Sequence, residues 1–353
     1  MTVWTLQNMY ENAVLSGNES KFSDGSGTVV IPENGNEIPD ILDEAAYELD
    51  WMAGMIVKED EPTWGEYAGM VYHSVQDVTP IGIGYKMPDY ECEDHYVPRI
   101  IKPPTFAATL NFAACAAQAA RLWQDYDPEK AADYLSKAKA AYEAYEKNYY
   151  PADYTAATHP ELGCECVKEE LNKKSLYAPA WHTKSGNAYG DFDVKDEAYW
   201  AACELYVTTE LMKDSDAEKY LKILSSDKEN AFNVKTTITS AERVILPSSF
   251  DWKNTASAGS LTLALHKDLL SEKQTAQLEK SISQAADGYI KWEDEQGYGL
   301  PLTESDTLYS TQSMIYPDAY LSGYDFNSNN MVLNNALVTA YAYDQSAAEN
   351  DQF

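Results

Sequence analysis

The stretch that most limits what this chain can become is Phe106–Trp123, FAATLNFAACAAQAARLW. It is alanine-rich and apolar on nearly every side, which predicts a helix buried all round. Asp127-Pro128 then opens a second helical run, EKAADYLSKAKAAYEAYEKNY. Alanine-rich helices pair closely, so the two runs favour a compact helical bundle or barrel.

The remaining pattern agrees. Thr2–Leu15 has helical spacing through Val3, Leu6, Met9 and Leu15. Pro39 opens a helix whose apolar stripe is Ile41, Leu42, Ala45, Leu49 and Met52. Further helices are expected over Asp196–Thr208, about Ala217–Leu224, Gly259–Leu270, Ser271–Tyr289 and the final NNMVLNNALVTAYAYD. Gly69–Val75, GMVYHSV, is short and β-like. Residues 17–38, 76–104, 148–190 and 294–328 read as loops, and loops this long in a compact domain are usually functional. Paired helices with alternating short and long connections predict an all-α toroid whose long loops build a cleft on one face.

Composition narrows the partners. With 57 Asp and Glu against 26 Lys and Arg, the formal charge is -31, which argues against nucleic acid or an anionic membrane surface. It suits a neutral ligand such as a sugar polymer, and a soluble extracellular protein. The chain carries 27 Tyr and 8 Trp against 8 Phe. Tyr and Trp pair a flat apolar face with a polar handle, the chemistry of sugar stacking, although most such residues simply pack between helices and surface. Cys115 and Cys203 sit in alanine-rich helical runs and read as small core residues. Cys92 with His95, and Cys164 and Cys166 with His159 or His182, are candidates for a disulfide or zinc, but their spacings match no standard finger. No signal peptide or membrane-spanning run is visible.

The run from Gly186, GNAYGDFDVKDEAYWAACELYVTT, places Asp191, Asp193, Asp196 and Glu197 just ahead of an apolar helix. Clustered hard oxygen ligands suit Ca²⁺, and four carboxylates would repel one another without a cation. The alternative is that they cap the helix and complement its dipole.

Several stretches in register resemble glycoside hydrolase family 9, the inverting cellulases. They are VWTLQNMYE, IPDILDEAAYELDWM, GMVYHSV, TFAATLNFAACAAQAARLW with YDPEKAADYLSKA, YGDFDVKDEAYWAACELYVTT, and FNSNNMVLNNALVTAYAYD. The resemblance implies an (α/α)6 barrel acting on β-1,4-glucan, with residues 1–353 a catalytic domain incomplete at both ends. The family's catalytic aspartate motif and general-acid glutamate find no match in these residues. No catalytic residue is therefore assigned, and the chain alone is expected to be inactive. Asp43, Glu44 and Asp50 fall on a scaffold helix and read as solvated or capping groups.

By the same resemblance His73 contacts sugar near the scissile bond, with a satisfied structural histidine as the alternative, and Phe326 stands where the family usually has a Trp platform. Tyr189, Trp181 and Trp252 are candidate cleft aromatics, with core packing as the alternative. Asp193, Asp196 and Glu197 match the family's calcium-binding run, Asp191 adds an oxygen, and Asn254 follows Trp252 where the family has an Asp ligand. The family's zinc site is not carried over. A secreted, monomeric parent acting on β-glucan is implied. The alternatives are a non-catalytic glucan-binding toroid and a toroid of another enzyme class.

Overall fold

The computed structural model describes residues 1–77, 99–151, 176–177, 191, 193–239, 245–304 and 328–349. The chain forms two compact units. One comprises Thr2–Tyr10 and Glu19–Val194, and the other Met1, Glu11–Asn18 and Lys195–Phe353.

The first unit is built on the start of α1 (Thr2–Leu15), up to Tyr10, with α2 (Asp40–Gly54), α3 (Phe106–Trp123) and α4 (Pro128–Asn148). As its composition demands, α3 is buried on almost every side, packing along α4 and against α2. Its start is fixed by Thr105, whose hydroxyl accepts from the Ala108 amide at 3.2 Å. Asp127 caps α4 in the same way, accepting from Lys130 N at 3.0 Å, with Pro128 in the first turn.

Asp50 is exposed, as expected of a solvated group, but it is also paired. Its carboxylate accepts from Tyr134 Oη at 2.6 Å and Lys130 Nζ at 3.0 Å, so it ties α2 to α4. The Lys130 ammonium also lies 4.3 Å from the Trp123 ring centroid.

The expected stripe on α1 is also corrected. Val3 is buried, but Met9 and Leu15 are exposed and the inward face runs through Trp4, Gln7, Asn8 and Glu11. Polar residues can face inward there because they are paired: Gln7 Nε2 donates to Cys115 O at 3.1 Å and Gln118 Oε1 at 3.0 Å.

The 76–104 segment is not wholly irregular. β1 (Val71–Tyr72) pairs antiparallel with β4 (Pro104–Thr105), and β2 (Val75–Asp77) with β3 (Arg99–Ile101). Gly69, just before β1, has φ +90° and sits where a Cβ would lie 3.1 Å from the Ala144 Cβ of α4.

The second unit holds α5 (Lys195–Leu211), α6 (Ala217–Ser226), α7 (Ala256–Leu265), α8 (Glu272–Glu295) and α9 (Ser328–Glu349). The short strands β5 (Ile238–Thr239) and β6 (Ile245–Leu246) pair antiparallel. Helix α5 packs on α6 and α7, and α8 packs on α7 and α9. At Gly259 the α7 backbone comes so near α5 that a Cβ would lie 2.8 Å from Trp200 Cα. Beside that contact, fully buried Glu204 accepts from Trp200 Nε1 at 3.2 Å and Thr262 Oγ1 at 2.6 Å.

The last turns of α1 join this unit through a buried pair, Glu11 Oε1 with His266 Nε2 at 2.8 Å. Helix α8 begins at Ser271 with a capping box through Gln274, and buries Leu278, Ile282, Ala285 and Tyr289. Ile238, Leu246, Leu302 and Met331 form a separate small apolar cluster. Cys115 and Cys203 are free and buried, as expected. Among the described residues, no helix is long and apolar enough to cross a membrane.

Candidate functional site

His73 lies between β1 and β2, opposite Lys102 and Pro103, which lie between β3 and β4. Two backbone bonds hold the crossing: His73 N donates to Pro103 O at 3.2 Å, and Lys102 N to Ser74 O at 2.8 Å. The ribbon therefore fixes the His73 backbone, while its ring Nδ1 lies 2.9 Å from Thr105 Oγ1.

Burial, and next the Lys102 ammonium, hold the His73 imidazole at a pKa of about 4. Lys102 is itself only 3% exposed, and burial lowers its pKa. At neutral pH His73 is thus an uncharged hydrogen-bonding group rather than a cation or a poised proton donor. Burial, followed by the Glu61 charge, raises the pKa of the neighbouring Tyr72 phenol. On the same unit, an open groove of about 700 Å³ runs between Val57–Asp60 and the Ala140–Lys147 face of α4, with both signs of charge on its rim.

In the second unit Trp252 is 41% exposed at the tip of a tightly bonded turn. Asp251 Oδ1 accepts from Lys253 N at 2.8 Å, Asn254 N at 2.7 Å and Asn254 Nδ2 at 2.9 Å. Burial raises the Asp251 pKa, and those donors oppose the shift. The base of the turn is clamped from α9. Asn334 Nδ2 donates to Phe250 O at 2.9 Å, and Asn335 Nδ2 donates to Pro247 O and Pro301 O, each at 2.8 Å. A Trp ring on so rigid a support suits stacking on a flat apolar face such as that of a sugar. Trp181, Tyr189 and Phe326 lie outside the described residues, as do Cys92, Cys164 and Cys166.

The expected calcium ligands divide between the units. Asp191 and Asp193 belong to the first, Asp196, Glu197 and Asn254 to the second. Asp191 is 4% exposed, and its Oδ1 accepts from Asp193 N at 3.0 Å; Asp193 is exposed. Asp196 Oδ2 accepts from Thr255 N at 2.6 Å, which brings it against the turn carrying Asn254. Glu197 is 1% exposed at the start of α5. Carboxylate and amide oxygens are the right donors for Ca²⁺. Among the described residues, however, no three His, Cys, Asp or Glu side chains gather into a group able to hold a metal ion. Asp191 Oδ1 and Asp196 Oδ2 each accept from a backbone amide, Asp193 N and Thr255 N, and neither amide lies in the first turn of α5.

Four residues at these sites carried no assignment from the sequence: Lys102, Thr105, Asn334 and Asn335. Thr105 was legible in principle, as a Thr immediately before a helix is a capping signal. Lys102, Asn334 and Asn335 act on chain segments distant in sequence, and no local pattern marks them.

A family model, "Glycosyl hydrolase family 9", matches residues 1–353. "Cellulose 1,4-beta-cellobiosidase" of Acetivibrio thermocellus is 36% identical over 352 residues, covering 98% of this chain and 34% of that protein. "Endoglucanase C" of Cellulomonas fimi is 34% identical over 352 residues, covering 99% of this chain and 25% of that protein. This chain therefore spans about a quarter to a third of the length of these relatives. Among solved structures, "Bacteroides ovatus GH9" matches with TM-score 0.66 and 23% identity, over 99% of this chain and 51% of that one. A metagenome-derived glycoside hydrolase family 9 endoglucanase matches with TM-score 0.65 and 21% identity, over 98% and 48%. At such identities the likeness is one of fold, and the fold class is the all-α, (α/α)6-barrel class expected from the sequence.

Proposed function

Because this chain belongs to glycosyl hydrolase family 9, we propose that it is part of an enzyme that hydrolyses β-1,4-glucan and that it supplies sugar contacts in the substrate cleft. The observation that carries this reading is the family match along all of residues 1–353. Two relatives that cover almost the whole chain, a cellobiosidase and an endoglucanase by name, support β-1,4-glucan as the substrate class.

His73, uncharged at neutral pH and braced by the ribbon, hydrogen-bonds a sugar hydroxyl or ring oxygen. Trp252 stacks on a sugar face. Inverting hydrolysis needs a carboxylate base to activate water and a carboxylic acid across the bond, about 6.5–9.5 Å away. No residue of this chain matches the family's motifs for either, so the chain by itself binds glucan without turning it over. A β-glucan polymer is too large to enter a cell, and a net charge of -31 favours solubility, which supports a secreted, monomeric parent. A structural Ca²⁺ at the Asp191–Glu197 run rests on donor chemistry and on the family resemblance.

Electrophoresis through a gel containing β-glucan, run beside a reducing-sugar assay on carboxymethylcellulose, tests the reading. Retarded migration without sugar release is expected. Unretarded migration would remove the binding reading, and sugar release at the rate of an intact cellulase would place a catalytic pair within this chain.

A further inference from the structure

Building on the reading of His73 as a sugar contact, we propose that Thr105 is a positioning residue that fixes the His73 imidazole in its Nε2–H tautomer. His73 then meets its ligand as a hydrogen-bond donor to a sugar oxygen.

Protons and lone pairs at one buried atom select the tautomer. Thr105 is fully buried. Its Oγ1 lies 3.2 Å from Ala108 N and 2.9 Å from His73 Nδ1. A hydroxyl carries one proton and two lone pairs. The Ala108 amide only donates, so it occupies one lone pair. The hydroxyl proton then needs an acceptor, and among the described residues the Nδ1 lone pair is the one within reach.

Were Nδ1 protonated instead, Oγ1 would accept twice and its own proton would be stranded in the interior. A stranded buried donor is costly enough to bias the two tautomers about tenfold or more. Neither partner can turn away easily. His73 N is bonded to Pro103 O at 3.2 Å, and Thr109 Oγ1 donates to Thr105 O at 2.6 Å.

The far side of the ring is the functional one. Nε2 makes no hydrogen bond within the described residues, and on the reading of His73 as a sugar contact its proton is the one that meets a ligand acceptor. Charging the ring would strand the same Thr105 proton, and this works in the same direction as burial and Lys102 in keeping the imidazole neutral. One hydroxyl thereby performs two tasks, capping α3 and setting the polarity of the sugar contact.

Long-range proton–nitrogen correlation on ¹⁵N-histidine-labelled full chain tests this directly, with His73→Gln identifying the His73 signals among the 5 histidines. At neutral pH the expected pattern is an unprotonated, pyridine-type Nδ1 and a protonated, pyrrole-type Nε2. Thr105→Ser keeps that pattern, and Thr105→Val shifts it toward Nδ1–H. A wild-type Nδ1–H pattern overturns the inference, as does an unchanged pattern in Thr105→Val. If the Val variant fails to fold, Thr105→Ala takes its place: loss of the Nδ1 acceptor bond is then expected to relax the tautomer toward a mixture, and an unchanged pure Nε2–H pattern overturns the inference. Added cellotetraose is expected to shift the Nε2–H signal. An unmoved signal with the tautomer intact would overturn the sugar contact and leave Thr105's control of the ring standing, so the two claims fail separately.

Discussion

Asn335 on α9 is fully buried and braces the turn that carries Trp252 and Asn254. Its Nδ2 donates to Pro247 O and Pro301 O at 2.8 Å each, and its Oδ1 accepts from Ser249 N at 3.4 Å. Asn335→Leu keeps the volume but removes both donors. Each orphaned carbonyl costs about 1–3 kcal/mol, and the long third bond adds little. Burying the leucine offsets about 1.5–3 kcal/mol, so against about 2–6 kcal/mol for the two carbonyls the net loss centres on about 2 kcal/mol. That is a large share of the 5–15 kcal/mol, roughly, that keeps an ordinary domain folded. Asn335→Asp keeps the shape and still accepts from Ser249, but it sets a carboxylate against two carbonyl oxygens and must cost more than the leucine. Urea unfolding gives the global loss, and hydrogen exchange over residues 245–254 reports whether the turn loosens. If the Asp variant stays within about 1 kcal/mol of wild type and the turn keeps its protection, the bracing role is wrong.

Three further outcomes are expected. Gly259→Ala should lower the unfolding midpoint, because a Cβ only 2.8 Å from Trp200 Cα forces α7 and α5 apart at about 1–3 kcal/mol, more than the helix-propensity gain of up to about 1 kcal/mol. Gly297→Ala, which meets nothing within 4 Å, is the neutral control in the same thermal scan. Since folding holds the His73 pKa near 4 against an unfolded value near 6.5, the unfolded chain binds the extra proton first. That group's contribution is whole above about pH 6.5 and is lost as pH falls toward about 4, so His73→Gln should flatten the acid limb of a stability–pH curve. Saturating calcium should raise the unfolding midpoint, EGTA should reverse the rise, and Asp196→Ala should abolish it; an unresponsive wild type would rule out the ion.

The helices were legible because their signals are local. The all-apolar surface of Phe106–Trp123, Asp127-Pro128 and the stripe from Ile41 to Leu49 each follow from a few neighbouring residues, and the structure returns all three. What escaped depended on distant partners. The inward face of α1 is polar because Gln7 finds Gln118 and Glu11 finds His266. The strand at Arg99–Ile101 is specified by its pairing with Val75–Asp77, and the adjacent Pro103-Pro104 reads locally as loop. Resemblance singled out His73, whereas the burial that chiefly lowers its pKa, the Lys102 charge that adds to it and the Thr105 hydroxyl at its Nδ1 had no local signal. Asp191 and Asp196 each accept from a backbone amide outside the first turn of α5, contacts that no local pattern marks.

Whether this family 9 chain presents His73 to a glucan as a sugar contact is tested most directly by a crystal structure of the chain with cellotetraose. A sugar oxygen within about 2.7–3.2 Å of His73 Nε2 is expected. Cellotetraose bound elsewhere with the His73 ring untouched, or no bound sugar at saturating concentration, would contradict it.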